Sequence, residues 1–364
     1  MGSTDVGVIG AGIVGLATAY ALVERGVSVS VYERGVPGQG QSGGESRIFR
    51  HVHDDPRLVA LAKRSRSIWE EWAQRFGTEM VSGDGVVAMG PSAEQRLSVV
   101  ENVGDIPVRR IGADELHDWL PILADVDAVA VLDERGGSIR TTTAIAALTA
   151  ALADRLVADE VLAVRSTPVG TLEVRAGGAA AEHDSVIVCA GRGTAGLARG
   201  MGLALPVRQG AHVRLTYDVR GKPPSTLACL LYSGGIVGET VAYAAAVQGN
   251  RRYAVGLSDH VDALTAERWT RGPSSTRRAH HRLRRARPAG LDPKPVDVRH
   301  CWVTELPWGS DGLAVWTLDN AFFVAGHNLF KHAPALGHAL AAAATGDGLA
   351  KELRPSTQLG GTSS

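Results

Sequence analysis

The sequence predicts an α/β protein of two interleaved domains, and three observations support this fold class. A strand, a glycine turn, a helix and a second strand follow one another in residues 5–33, which is a βαβ pattern. A strand-rich block runs from Pro206 to about Leu257. The C-terminal part returns to a strand followed by an alanine-rich helix. Because these segments alternate along the chain, the domains are expected to be interleaved and not sequential.

The composition limits both the size and the partners of the protein. A chain of 364 residues suggests about two domains. Hydrophobic residues make up 45% and charged residues 21%, which supports a large core and argues against disorder. Lys plus Arg and Asp plus Glu both number 38, so the chain lacks the basic excess of proteins that bind nucleic acid or anionic membranes. We therefore expect neither of these partners.

The cysteines and the N-terminal residues indicate the cellular compartment of the protein. Cys189, Cys229 and Cys301 are far apart and odd in number, which excludes a disulfide scaffold and a C-x-x-C metal site. This pattern fits a reducing cytoplasm. No apolar run reaches the ~18 residues of a membrane span, and residues 1–5 lack the basic region of a secretory signal. We expect a cytoplasmic protein.

Hydrophobic periodicity predicts the individual elements in chain order. Strands are expected at 6–9, 27–32, 85–89, 161–164, 171–175, 185–191, 212–217, 227–232, 240–247, 252–257 and 321–325. Helices are expected at 16–25, 56–76, 142–156, about 262–287 and 334–345. Gly26 is expected to cap the first helix at its C-terminus. The polar tail 355–364 is expected to fray.

The turn after the first strand reads Gly10-Ala11-Gly12-Ile13-Val14-Gly15, which matches G-x-G-x-x-G. Such glycines permit a tight turn and the close approach of a pyrophosphate, and the helix N-terminus adds unpaired amides with a partial positive charge. Glu33 ends the second strand, where an acid accepts ribose hydroxyls. This context predicts a dinucleotide site for FAD or NAD rather than NADP. An ordinary glycine-rich turn is the alternative.

Further segments carry a resemblance to one protein family. They are Gly44-Glu45-Ser46-Arg47-Ile48-Phe49-Arg50-His51, Val188-Cys189-Ala190-Gly191, Pro206-Val207-Arg208-Gln209, Cys301-Trp302-Val303-Thr304, and Val324-Ala325-Gly326-His327 followed by Phe330-Lys331. Together with the glycine turn they resemble FAD-dependent amine oxidoreductases of the D-amino-acid-oxidase-like superfamily. The branch of monomeric sarcosine oxidase and N-methyltryptophan oxidase is the most similar. The likeness runs over nearly the whole chain, and the arginine and Cys301 segments are its specific parts.

The resemblance implies an FAD cofactor and a discontinuous domain arrangement. The FAD-binding Rossmann-like domain would comprise 1–80, 140–205 and 300–364, and a substrate domain built on a large mixed sheet would comprise 81–139 and 206–299. The implied cofactor-binding residues are Gly10, Gly12, Ile13, Val14, Gly15, Glu33, Arg34, Gln41, Ser42, Arg47, Val161, Ala190, Gly191, Cys301, Gly326, Leu329 and Lys331.

Cys301 carries the most specific implication of the resemblance. In the family, a cysteine at this place is bonded through sulfur to the 8-methyl carbon of the flavin. Such chemistry suits a thiolate, and Arg299 and His300 would provide a positive environment that lowers the pKa of the thiol. The alternative is a buried free cysteine, which is the usual fate of this residue type. We predict covalent attachment of FAD through Cys301.

Arg50 and Lys331 match family positions that bind the carboxylate of the substrate. A guanidinium fork suits that anion geometrically. The alternative for Arg50 is a surface ion pair with Asp54 or Asp55, which are close in sequence. The alternative for Lys331 is a charge that flanks a helix. Arg47 is expected against the flavin, where a cation would stabilise the negative charge of the reduced form.

The predicted pocket also departs from the family. Tyr243 matches a pocket tyrosine, with packing in the core as an equally weighted alternative. Ala254 stands where the family has a lysine that activates oxygen, and Ser258 replaces a pocket histidine. The turn after Gly326 is two residues shorter. Arg252 shares a strand face with Ala254 but is displaced along it. We expect slow reoxidation by oxygen, and a gain in its rate on Ala254→Lys.

Two polar runs have a functional and a structural interpretation. The run from Arg271 to Arg287 is basic, and a solvated helix face is the favoured interpretation, with docking of an acidic carrier protein as the alternative. The run from His51 to Asp55 matches no standard metal-ligand spacing and is expected to be a loop without metal.

The resemblance therefore implies a flavoenzyme that oxidises a C–N bond of an amino or imino acid, or of a related amine, by hydride transfer to FAD. One alternative is a flavin dehydrogenase that uses an acceptor other than oxygen. Others are a tailoring enzyme that acts on an amine bound to a carrier protein, and a non-catalytic flavoprotein or docking module.

Overall fold

A computed structural model describes residues 4–123, 130–234, 241–258, 261–262 and 287–361. The chain forms two compact units. Unit 1 comprises 1–43, 142–208 and 304–364, and unit 2 comprises 44–141 and 209–303. The predicted boundaries differ at 44–80, which we assigned to the FAD-binding domain and which belongs to unit 2. The reason is tertiary packing, because strand 46–49 pairs with 137–140 and helix 56–76 packs on helix 91–103.

The described residues contain 20 strands: β1 (Asp5–Ile9), β2 (Ser28–Tyr32), β3 (Ser46–Phe49), β4 (Val86–Met89), β5 (Val108–Ile111), β6 (Ala130–Asp133), β7 (Gly137–Arg140), β8 (Leu156–Val157), β9 (Val161–Ser166), β10 (Leu172–Ala176), β11 (Ala179–His183), β12 (Ser185–Val188), β13 (Arg208–Asp218), β14 (Cys229–Tyr232), β15 (Ala242–Ala246), β16 (Arg252–Leu257), β17 (Val261–Asp262), β18 (Asp297–Glu305), β19 (Leu313–Leu318) and β20 (Ala321–Gly326). Their α-helices are α1 (Ile13–Glu24), α2 (Pro56–Phe76), α3 (Pro91–Val103), α4 (Ala113–Trp119), α5 (Thr141–Ala151), α6 (Thr194–Gly200) and α7 (Ala333–Ala342). None of these helices is long and apolar enough to cross a membrane.

Unit 1 contains a six-stranded sheet in the order β19-β20-β12-β1-β2-β8. All neighbouring strands are parallel except β19 and β20, which are antiparallel. The carboxyl ends of β1, β2, β12 and β20 therefore lie along one edge of the sheet. The chain leaves β1 toward β2 and later returns to β12 on the other side of β1, so the strand order reverses there. In open α/β sheets, ligands bind at the carboxyl ends of the strands where the strand order reverses.

Two elements of unit 1 differ from the sequence prediction at their ends. Helix α1 begins at Ile13 and not at residue 16, because Gly12 is already extended and acts as its N-cap. The helix predicted to reach residue 156 ends at Ala151. Residues Leu156 and Val157 instead form β8, which pairs with β2. Strand pairing overrides the local helical preference here.

The C-terminal tail is packed up to residue 361, so the prediction that it frays is wrong for this part. Leu359 is only 1% exposed. Its carbonyl oxygen accepts hydrogen bonds from the Trp308 indole and from the Leu313 amide, both at 3.1 Å. One buried leucine with two hydrogen bonds holds a segment whose composition is otherwise polar.

Unit 2 contains a nine-stranded sheet in the order β17-β13-β16-β15-β14-β4-β6-β5, with β18 also paired to β13. The sheet is mixed, since β14 and β4 are parallel and the pairs β13–β16, β15–β16 and β4–β6 are antiparallel. Side chains alternate between its faces, so that Leu215, Val255 and Ala244 pack in one core cluster while Ala245 packs in another. The predicted α/β class with a large mixed sheet is confirmed.

Helix α2 spans the predicted residues 56–76 because both of its ends are encoded locally. The Asp55 side chain caps the N-terminus, and a proline occupies the first turn. The buried face carries Trp69 and Trp72, whose rings meet edge to face with centroids 5.2 Å apart. Ile68, which precedes Trp69, is only partly buried.

Candidate active site

The glycine turn of unit 1 requires glycine at two positions. Gly10 has a φ of +98°, in the region that side chains rarely adopt. A Cβ on Gly15 would overlap the carbonyl oxygen of Gly10. The turn therefore brings its backbone and the N-terminus of α1 close together at the carboxyl end of β1. Glycine turns at the N-terminus of a helix are places where proteins bind pyrophosphates.

Glu33 lies beside this turn at the end of β2. Its Oε2 accepts a hydrogen bond from the Ala11 amide at 2.9 Å, and its Oε1 accepts one from the Gly35 amide at 3.0 Å. The hydroxyl of Ser42 accepts from the Ile13 amide at 3.0 Å. The structure therefore brings together the predicted glycine turn, the acid and Ser42, with the carboxylate oriented by two backbone donors.

The neighbouring strand contributes Ala190 and Gly191, which follow β12. A Cβ on Gly10 would approach the Cα of Ala190 to 3.1 Å. Ala190 and Gly191 therefore lie next to the glycine turn, at the point where the strand order reverses. Gln41 donates from Nε2 to the Thr304 hydroxyl at 3.1 Å. Gln41 lies next to Gly191, because a Cβ on Gly191 would meet the amide oxygen of Gln41 at 2.5 Å.

Arg34 and Val161 are two further residues of unit 1 that are predicted to contact the cofactor. Arg34 is exposed, and its Nη1 forms an ion pair with Glu160 at 2.9 Å. Val161 is the first residue of β9 and is partly buried. The structure places both near the end of β2 through the pairing of β2 with β8, but it adds no specific reason for either to contact a cofactor.

The short turn after Gly326 buries a positive charge. Leu329 and Lys331 lie in the 3₁₀ turn Leu329–His332, and Lys331 is only 3% exposed. Its ammonium donates to the Asn328 carbonyl at 3.3 Å. Burial lowers the pKa of His327 to about 4, and the charge of Lys331 contributes. Lys331 also lies two residues before α7, as the alternative interpretation of a charge that flanks a helix requires.

In unit 2, strand pairing and a carboxylate fix the segment of residues 44–51. Its strand β3 pairs with β7, and the Asp133 carboxylate contacts His51, two residues after that strand. The Asp133 oxygens lie 2.9 Å from Nδ1 of His51 and 2.6 Å from its amide nitrogen. The His51 ring is thereby engaged in a buried pair. Among the residues that the model describes, no group of three His, Cys, Asp or Glu side chains is arranged to hold a metal.

Arg50 is buried next to this anchor, with 8% exposure, and its Nη1 donates to the Val52 carbonyl. Asp54 pairs with Arg96 at 3.0 Å, and Asp55 caps α2. The alternative of a surface ion pair for Arg50 is therefore wrong, because the guanidinium is not at the surface.

Five predicted or neighbouring side chains meet in unit 2: Arg47, Arg214, Tyr243, Arg299 and Cys301. Burial lowers the pKa of Arg47, while the Cys301 thiol opposes this shift and the Arg214 charge adds to it. Burial also raises the pKa of Tyr243, so the phenol stays protonated at neutral pH. Tyr243 thus packs beside the core and faces charged groups at the same time.

Strand register explains how Tyr243 and Arg214 meet. Gly256 of β16 lies opposite Arg214 of β13 on one side and opposite Tyr243 of β15 on the other. Directly opposed residues share one face of a sheet. A Cβ on Gly256 would overlap the Tyr243 ring, so the ring lies across this glycine. The Arg214 Cζ is 5.8 Å from the centroid of that ring.

Replacement of Gly256 by alanine should displace the Tyr243 ring and destabilise unit 2, by about 1–3 kcal/mol for overpacking. The free energy of unfolding from denaturant titration measures this. Gly83→Ala is the control, because nothing lies within 4 Å of a Cβ there. In a Tyr243→Ala background the cost of Gly256→Ala should largely disappear. An equal cost in both backgrounds would contradict the contact.

The cysteines differ in their surroundings. Burial raises the pKa of the Cys189 and Cys229 thiols to about 12, so both stay protonated. Cys301 lies on β18, where Arg299 shares its face and His300, one residue away, is on the opposite face. The positive neighbours of Cys301 are therefore Arg47 and Arg299. The contribution of His300 stays a prediction.

A small cavity of about 20 Å³ adjoins these residues within unit 2. It is lined by Gly44, Glu45, Ser46, Arg214, Thr216, Val247, Ala254, Asp297 and Arg299. Arg252, which shares a face with Ala254, instead donates from Nε to Asp218 at 3.0 Å, and its side chain is 47% exposed. The positive charge next to Ala254 comes from Arg214 and Arg299.

Sequence reasoning missed Arg214 and Asp133 as site residues. A signal for Arg214 was present, because His212, Arg214 and Thr216 alternate with apolar residues in β13 and all three are buried. Polar residues repeated on a buried strand face indicate a functional surface.

Ser258 is exposed at the end of β16. The basic run from Arg271 lies outside the described residues up to residue 286.

The comparisons with known proteins show the family of this chain. The family model described as "FAD dependent oxidoreductase" matches residues 5–343. This chain belongs to that family. The N-methyl-L-tryptophan oxidase of Yersinia pestis (strain Pestoides F) is 27% identical over 157 residues, which cover 41% of this chain and 42% of that enzyme. The alignment thus spans less than half of the relative. The predicted resemblance to this branch is confirmed.

Solved structures of the same fold cover 95% or more of this chain. The open form of NikD, "an unusual amino acid oxidase essential for nikkomycin biosynthesis", has a TM-score of 0.81 at 18% identity and covers 100% of this chain and 98% of that one. L-proline dehydrogenase from P. horikoshii has a TM-score of 0.81 at 17% identity, with 96% and 95% coverage. Glycine oxidase from Geobacillus kaustophilus has a TM-score of 0.76 at 21% identity, with 95% and 95% coverage. At these identities the likeness establishes the fold.

Proposed function

We propose that this member of the FAD dependent oxidoreductase family oxidises the C–N bond of an amino or imino acid. The observation that carries the proposal is the burial of two cations, Arg50 and Lys331, at positions where the resemblance puts the groups that bind a carboxylate. A guanidinium and an ammonium both bind a carboxylate through charge-assisted hydrogen bonds.

The residues of unit 1 fit FAD. The turn from Gly10 to Gly15 would hold the pyrophosphate, and the Glu33 carboxylate beside it would accept ribose hydroxyls. When bound, the flavin accepts a hydride from the carbon next to the substrate nitrogen. In unit 2, Arg47 would face the flavin as a cation, and Cys301 would be the attachment point because its surroundings are positive.

The names of the similar proteins agree with this substrate class. They include an N-methyl-L-tryptophan oxidase, a glycine oxidase and an L-proline dehydrogenase. Each of these names is that of an enzyme acting on an amino acid. For this chain, we propose an amino acid with a primary or secondary amine as the substrate.

An anaerobic screen tests the proposal. The purified flavoprotein is mixed without oxygen with amino acids, N-methyl amino acids, cyclic imino acids and the matching amines that lack a carboxylate. We expect the flavin absorbance to bleach with at least one amino or imino acid and much more slowly with its decarboxylated analogue. Bleaching by hydroxy acids or sugars, or by amines irrespective of the carboxylate, would contradict the proposal.

The electron acceptor distinguishes two versions of this activity. Ala254 favours a dehydrogenase with an acceptor other than oxygen, because alanine offers no cation to the reduction of oxygen. Arg214 in the same cavity favours oxygen. Stopped-flow reoxidation of the reduced protein, in air and with an artificial quinone acceptor, decides between them.

An acidic carrier protein stays a prediction, tested by pull-down with charge reversal at Arg277, Arg278 and Arg282.

A further inference from the structure

Arg50 lies between two residues that are both held by one short turn of the chain. The turn joins Asp133, the last residue of β6, to Gly137, the first residue of β7. Before Arg50, Phe49 pairs with Gly137 as the last residue of β3. After Arg50, the amide of His51 donates to the Asp133 carboxylate at 2.6 Å. The β6–β7 turn therefore fixes the backbone on both sides of Arg50.

The Asp133 carboxylate also determines where the guanidinium of Arg50 finds an acceptor. Besides the amide contact, its Oδ1 lies 2.9 Å from Nδ1 of the His51 ring. The residue after His51 is Val52, whose carbonyl accepts a hydrogen bond from Nη1 of Arg50. This acceptor is thus one residue away from the backbone that Asp133 holds. A displacement of His51 would move the Val52 carbonyl and the guanidinium with it.

The turn is itself fastened to helix α2. Nε of Arg66 donates to the Arg135 carbonyl at 2.9 Å, and Nη2 of Arg135 pairs with Glu70 at 2.6 Å. The Arg66 guanidinium lies 5.8 Å from the centroid of the Phe49 ring, and the His51 ring meets the same ring edge to face at 5.1 Å. The turn, α2 and the neighbours of Arg50 form one packed group within unit 2.

Asp133 and His51 are a costly pair to bury. Asp133 has no exposed surface, and His51 is 1% exposed. Apolar residues of similar volume are often as stable as a buried charged pair or more so, whereas a fully satisfied polar pair specifies one arrangement of its surroundings. The pair is therefore better suited to fixing the geometry next to Arg50 than to stabilising the fold.

We infer that Asp133, acting through His51, is a positioning residue for the Arg50 guanidinium. Its consequence for the reaction rests on the proposed function, in which Arg50 binds the substrate carboxylate. A guanidinium that is already in place binds that group without the entropic cost of being ordered first. Asp133 would then influence substrate binding without touching the substrate.

Steady-state kinetics test this inference, with the amino acid that bleaches the flavin in the anaerobic screen and with its decarboxylated amine. Asp133→Ala should raise the KM for the amino acid about tenfold or more, with little change in kcat or for the amine. Asp133→Asn, which keeps the volume and one acceptor oxygen, should raise that KM only about threefold. In an Arg50→Ala background, neither change should raise the KM further, because Asp133 acts through Arg50.

Equal losses for the amine and the amino acid, or losses that add to that of Arg50→Ala, would overturn the inference, and so would an unchanged KM in both variants. If Asp133→Ala fails to fold, the cycle with Asp133→Asn decides. A matched control lies in unit 1, where Nδ1 of the buried His183 is 2.5 Å from the Asp5 carboxylate. Asp5→Ala should leave the preference for the carboxylate unchanged. An equal change in Asp5→Ala would also contradict the inference.

A crystal structure of the Asp133→Ala holoprotein, or of Asp133→Asn if the former does not fold, needs no substrate. We expect the Val52 carbonyl and the Arg50 guanidinium to be displaced from their wild-type positions or to occupy several conformers. A guanidinium in the wild-type position, with its bond to Val52 intact, would overturn the inference. If the guanidinium is displaced but no amino or imino acid bleaches the flavin, the proposed function fails and the positioning of Arg50 by Asp133 stands.

Discussion

Replacement of Cys301 by alanine should convert FAD from a cofactor that stays with the denatured polypeptide into one that is released. In the wild type, we expect flavin fluorescence to remain with the protein band after acid or SDS denaturation. The reason is the place of Cys301 in the family resemblance, together with the positive charges of Arg47 and Arg299 beside it. The measurement is the fraction of flavin that co-migrates with the polypeptide, expected near complete for the wild type and near zero for the variant.

The two other cysteines are matched controls for this experiment. Cys189 and Cys229 are protonated because burial raises the pKa of each thiol to about 12. Cys189→Ala and Cys229→Ala should therefore leave covalent flavin unchanged. Free release of flavin from the denatured wild type would refute the covalent link, and retention in Cys301→Ala would show that another residue forms it.

Replacement of Arg50 by alanine should raise the KM for a carboxylate-bearing substrate by a factor of roughly 30 to 1,000. A charge-assisted pair in a desolvated site contributes about 2–4 kcal/mol when one partner is removed, and each 1.36 kcal/mol corresponds to about a tenfold change. FAD should remain bound, because the glycine turn and Glu33 belong to unit 1. The measurement is steady-state kinetics together with flavin content.

A decarboxylated amine separates substrate binding from a structural role of Arg50. Arg50 also donates to the Val52 carbonyl, so its loss could disturb the segment before α2. If it binds the carboxylate, Arg50→Ala should affect the amine little and the amino acid strongly. Equal losses for both would assign a structural role, and unchanged kinetics would refute the clamp. Arg96→Ala, which removes a partner of Asp54, is the control for general disturbance of this region.

Sequence reasoning succeeded where the information is local. The turn from Gly10 to Gly15, the acid at Glu33 and the limits of α2 were all predicted, because glycine geometry, an N-cap and a first-turn proline act over a few residues. The resemblance placed Arg50 and Cys301 in specific segments, and the structure shows a buried arginine and a cysteine beside arginines. Their roles stay predictions.

Sequence alone determined the family, the glycine turn and the residue types available for chemistry, since these depend on short motifs read along the chain. Only the tertiary structure decided which side chains meet. Asp133 holds His51 from 82 positions away, and β8 joins β2 although the sequence pattern predicted a helix up to residue 156. Arg214 faces Tyr243 and the cavity at Ala254 because three strands pair in one register. Strand pairing joins residues distant in sequence, and a shift of one residue would turn each side chain to the other face.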